Sequence, residues 1–263
     1  MQGGIHLLSG LLLASLTKRK EFKLAAVFGA ILPDIDIFVA GIAYVFTRKE
    51  ATIRAIHRTF THSLIFLIGL PLLIYLIGLI PAIKERYKYD TSGFALGLFL
   101  GMAIHVFLDM LYVDVVYLLW PSNIGVGFPI FPIESLNPDV YADMFKLKLI
   151  QTTDFFTDIF FFYIPMLYLA YKMDVHKKIR LPFLIYAIID FITITVFFGL
   201  MYNYSITYVT HMEMLYIPGI FFLLISVFSP ILFREVIREF KMELWEVIMV
   251  IALIAFSQIL FFI

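Results

Sequence analysis

His105 and Asp109 stand four residues apart inside an apolar run. On a helix that spacing puts an imidazole and a carboxylate on one face, where they serve as metal ligands or as hydrogen-bond partners for each other. Upstream, Leu32-Pro33-Asp34-Ile35-Asp36 sets two carboxylates two residues apart behind a proline. They cannot share a regular helical face, but a proline kink converges them on a cation; the alternative is that one of them N-caps a restarted helix. The third cluster is His57-Arg58-Thr59-Phe60-Thr61-His62-Ser63. Neutral imidazoles suit Zn, Mn or Fe, while a guanidinium beside a helix N-terminus suits an anion such as phosphate. Read alone, the same stretch is a polar interfacial turn with snorkelling side chains, capped by Thr61 or Ser63. His6, beside Gly3 and Gly4, reads by itself as interfacial.

The elements that carry these residues are apolar. Of 263 residues, 62% are hydrophobic and 15% charged, and the mean hydropathy is +0.95. The runs Leu64 to Ile83, Leu181 to Met201, Met214 to Phe233 and Leu244 to Ile263 hold few or no charges, and about 20 such residues span a bilayer. The expectation is an all-α, polytopic helical membrane protein with seven or eight spans: about 5–16, 24–46 (kinked at Pro-Asp-x-Asp), 62–83, 93–119, 155–171, 181–202, 214–233 and 244–263. A Pro- and Gly-bearing loop fills 121–154,. Residues 1–154 form the metal-site half and 155–263 add scaffold helices, within one membrane unit.

The absence of cysteine removes thiolate ligands and nucleophiles, and zero net charge gives no sign of nucleic acid. The N-terminus lacks the basic region of a signal peptide and reads as part of the mature chain. The breaks 17–23, 84–91, 172–180 and 234–243 hold 14 of the 20 Lys and Arg, which puts them in the cytoplasm and the N-terminus outside. His6, the 57–62 turn and the C-terminal half of the fourth span then share a side, with Asp34 and Asp36 within reach. A charge at the bilayer centre costs about 2.5–3.5 kcal/mol on insertion scales, so such a gathering implies one ion, or two about 3.5–4 Å apart. Gly93, Gly97 and Gly101 continue the His105 stripe and let another helix approach closely. Asp154 and Asp158, one turn apart, are further candidate ligands.

In this order the clusters resemble the membrane-bound metal-dependent hydrolase family whose bacterial members include a LexA-regulated inner-membrane protein. The resemblance runs through Gly4-Ile5-His6-Leu7-Leu8, the Pro-Asp-x-Asp block, His57 to Leu64, His105 to Leu111 and Leu118-Leu119-Trp120-Pro121, about residues 3–133. It implies His6, Asp34, Asp36, His57, His62, His105 and Asp109 as metal or catalytic positions, with Arg58, Ser63 and Trp120 as substrate contacts. The expected reaction is hydrolysis of a lipid or lipid-linked phosphoester by a metal-activated water, the metal being Zn, or else Mn or Fe. Asp36 or His62 acts as general base and Arg58 holds phosphate. The alternatives are an ion- or proton-coupled transporter or channel using the same cluster, and a non-catalytic metal-binding membrane scaffold.

Overall fold

The computed structural model describes residues 3–47, 52, 55–87, 89–112, 115–122, 124–128 and 233–259, with isolated positions 168, 169, 172, 185, 192, 230 and 231. Among them the regular elements are helices, with one isolated antiparallel bridge between Val116 and Val126.

Helix α1 (Gly3–Ser15) buries Ile5, Leu7, Leu8, Leu11 and Ala14. It packs on α2 (Lys20–Gly29) and on the central helix α6 (Thr91–Tyr112). The broadest contact is α2 on α6, and glycine makes it possible. A Cβ on Gly97 would fall 2.4 Å from the Phe22 carbonyl oxygen, and one on Gly101 2.3 Å from that of Ala26. The glycine stripe foreseen in the sequence is therefore a backbone-to-backbone seam.

The expected second span, 24–46, is two helices. After α2 the chain makes a 3-10 turn over Leu32–Asp34 and restarts as α3 (Ile35–Thr47) at 42° to α2. Pro33 has no N–H to continue the helix, and Asp34 N turns to Ile31 O at 3.2 Å instead of to Ala30 O. The break thus leaves the Ala30 carbonyl available to another donor.

A second 3-10 turn, Phe60–His62, leads into α4 (Leu64–Gly78). Ser63 caps α4, its Oγ accepting from Phe66 N at 3.3 Å, and α4 packs on α6. The short α5 (Pro81–Tyr87) follows. Helix α6 ends at Tyr112, short of the expected 119; residues 115–122 instead strap the turn before α4. Leu64 N donates to Leu118 O at 2.9 Å and Tyr117 N to Arg58 O at 3.3 Å. Helices α7 (Arg234–Glu239) and α8 (Leu244–Ile259) complete the described elements, with α7 on α2 and α8 on α1.

Thr91–Leu111 alone is long and apolar enough to cross a membrane among the described residues, and the bent α2–α3 pair passes the same test jointly. Helices α1, α4 and α8 are apolar but shorter. Apart from 168, 169, 185, 192, 230, 231 and 233, the expected spans 155–171, 181–202 and 214–233 lie outside the described residues, as do Asp154 and Asp158.

Candidate metal centre

Each element delivers its side chain for a local reason. His105 and Asp109 stand one turn apart on α6, Asp34 ends the 3-10 turn forced by Pro33, and His62 ends the turn that Ser63 closes. They meet: Asp34, His62, His105 and Asp109 each offer one ligand atom, all within 4.8 Å of one another, and all four residues are buried.

The separations have the size of a coordination shell. His62 Nε2 lies 3.3 Å from His105 Nε2, 3.4 Å from Asp109 Oδ2 and 3.7 Å from Asp34 Oδ1. His105 Nε2 lies 3.4 Å from Asp34 Oδ1 and 3.7 Å from Asp109 Oδ2. Four donors about 2.0–2.1 Å from a tetrahedral ion stand about 3.3–3.4 Å apart.

The outer nitrogens of both imidazoles are engaged away from the cluster. His105 Nδ1 sits 2.7 Å from the Ala30 oxygen, the carbonyl left over by the helix break, so Nδ1 carries the proton and Nε2 presents a lone pair. Thr61 Oγ1 donates to Asp36 Oδ2 at 2.7 Å. His62 Nδ1, 3.1 Å from that hydroxyl and 3.4 Å from Asp36 Oδ2, is therefore the donor on its side. In their neutral forms the two imidazoles then turn Nε2 lone pairs towards two carboxylate oxygens in a buried space, a donor set that can take a cation. The donor set suits Zn, Mn or Fe.

Asp36 holds the surrounding turn. Besides Thr61, its Oδ2 accepts from Arg58 N at 3.0 Å, and its Oδ1 meets His57 Nδ1 at 2.8 Å. Asp36 therefore serves the 57–61 turn. Arg58 has φ 62°, a left-handed conformation that costs a non-glycine residue about 1–2 kcal/mol. Asp36 and the Tyr117 strap hold its backbone there, and its Nε comes 3.6 Å from Asp109 Oδ2. Arg58 is 28% exposed and His57 17%, whereas His62 and His105 are fully buried.

His6 is closer to the centre than its sequence context suggested. It is buried, stacks on His105 with ring centroids 3.7 Å apart, and brings Nε2 to 3.3 Å from Asp109 Oδ1. Neither of its ring nitrogens makes a hydrogen bond among the described residues. Ser63 is committed to the chain: its Oγ donates to Phe60 O at 2.6 Å besides capping α4. Trp120, 37% exposed, stands edge-on to Phe60 at 5.1 Å. Sequence reasoning passed over two participants. Thr61 was read only as a possible cap, and its place inside the His-Arg-x-x-Thr-His block was the available signal. The Ala30 carbonyl carried no signal except the proline three residues on.

The YdjM inner membrane protein family matches residues 1–236, and the chain belongs to that family. An uncharacterized protein, YvsG of Bacillus subtilis (strain 168), is 34% identical over 105 residues, 39% of this chain and 59% of the relative. The chain thus spans less than two thirds of that relative's length. No solved structure matches.

Proposed function

From that membership and the buried donors together, we propose that the chain is a multi-pass inner-membrane, metal-dependent hydrolase of seven or eight spans acting on a lipid or lipid-linked phosphoester. The observation that carries the reading is the convergence of Asp34, His62, His105 and Asp109 with both outer imidazole nitrogens already committed as donors. A divalent ion held at this centre would supply a water of pKa lowered towards about 7 and a Lewis acid for a phosphoryl oxygen. Arg58, strained and partly exposed at the rim, supplies the positive charge that orients a phosphate. Thr61 and Asp36 keep His62 in its donor-out tautomer. Ala30 does the same for His105. The exposed apolar residues of α4, Ile65, Ile68, Leu72 and Leu73 among them, suit a substrate that arrives from the bilayer.

The test is turnover of a phospholipid panel by purified protein loaded with Zn2+ or Mn2+, with His105→Ala as control. Metal-dependent release of a phosphorylated headgroup or of phosphate, lost in the variant, is expected. Equal turnover by the variant removes the site.

One observation favours a second reading, a non-catalytic metal-binding scaffold: four protein donors can close a tetrahedral shell, the pattern of structural zinc. Bound metal without turnover of any panel member would support it.

A further inference from the structure

An ion that activates water keeps a coordination position open, whereas structural zinc has its shell closed by protein. The quartet of Asp34, His62, His105 and Asp109 thus accounts for binding an ion better than for hydrolysis. Beside it lies a second group, Asp34, Asp36 and His57, whose ligand atoms also fall within 4.8 Å of one another. We propose that the centre holds two divalent ions bridged by Asp34: an inner ion on the quartet, and an outer ion on Asp34, Asp36 and His57 that keeps a position open for water. This rests on the metal-hydrolase reading and gives it a site of reaction.

Three observations carry it. Asp34 belongs to both groups, with its Oδ1 facing His62 and His105, and a carboxylate common to two ligand groups is what a bridge requires. Asp36 divides its own oxygens. Oδ2 is held by Arg58 N and Thr61 Oγ1, while among the described residues Oδ1 meets His57 Nδ1, at 2.8 Å. That separation fits an N–H···O hydrogen bond, and it equally fits two neighbouring ligands at right angles on one ion, about 2.9 Å apart for bonds of 2.0–2.1 Å. Finally, the second group reaches the surface where the first does not. His57 is 17% exposed while His62 and His105 are at 0%, and Arg58 stands next to it in the chain.

Full-length protein loaded with Mn2+ and desalted tests this by metal analysis and electron paramagnetic resonance. About two ions per chain and an exchange-coupled signal are expected, with His57→Ala keeping one ion and an uncoupled signal. A single ion in wild type that His57→Ala retains overturns the two-ion centre and leaves the metal site standing. No bound ion at all overturns both. Should the variant fail to fold, wild type still decides, because an uncoupled spectrum at saturating Mn2+ overturns the pair.

Discussion

Charged side chains gather at two places on the α2–α6 seam, and the two solve opposite problems. Near the start of α6, Arg19 clasps Asp90 through Nε at 2.7 Å and Nη2 at 2.8 Å, with Ser92 Oγ at 3.0 Å from the same Nη2. Lys20 pairs with Glu239, and Arg238 with Glu21. Every one of these cations has its anion, and Arg19, Lys20, Glu239 and Asp90 are substantially exposed. His105 lies 15 residues further along α6, roughly 22 Å at helical rise. There, three aspartates and four histidines gather in a largely buried pocket whose rim Arg58 shares. The first cluster is complete as it stands. In the second, Asp34, His62, His105 and Asp109 bring ligand atoms within 4.8 Å of one another, and that convergence of donors, not the number of charges, separates a binding site from a fastening.

Removing one carboxylate from the buried cluster breaks this contrast most sharply. Asp109→Ala should lose bound metal and cost about 3–5 kcal/mol in unfolding, because Arg58 and three imidazoles lose a shared partner. Arg19→Ala should leave the metal content of purified protein unchanged; metal loss there too would mean that the two clusters are one network.

The seam that holds both clusters comes next. Gly101→Ala drives a Cβ against the Ala26 backbone, while at Gly69 nothing lies within 4 Å of the added atom. The first should cost about 1–3 kcal/mol by overpacking and weaken metal binding as α6 moves off α2. The second should do neither. Equal melting curves would show that the seam does not position the site.

Thr61→Val keeps the side-chain shape and removes the donor to Asp36. A loss of about 10–100-fold in metal affinity is expected from a disturbed outer partner, read by competition with a chelator.

The smallest effect lies in acid. Arg19 holds the Asp90 carboxyl down to about 2 from its ordinary 3.8, so folding gains from the ionised form above 3.8. That gain disappears as pH falls through about 2. The pair is exposed, so screening keeps the change small. An acid melting series in wild type and Arg19→Ala should diverge only above that window, and a divergence that persists below it would refute the linkage.

Much of this was legible in one dimension. Residues i and i+4 share a helix face whatever the fold, so His105 and Asp109 had to lie together, and the Gly97–Gly101 stripe had to be a place of close approach. Pro33 had to interrupt a helix because it lacks a donor. Ser63 was readable as a cap from its place before an apolar run. Length and hydropathy pointed to helices in a membrane, and family membership supports the membrane. Only the tertiary structure decided that the break splits α2 from α3 and hands the Ala30 carbonyl to His105, that Thr61 serves Asp36, and that His6 stacks against the centre. Those relations join residues as much as 99 positions apart, His6 to His105. Local spacing sets the face on which a side chain lies. The distance between two faces depends on how closely the helices cross, and that is a property of packing.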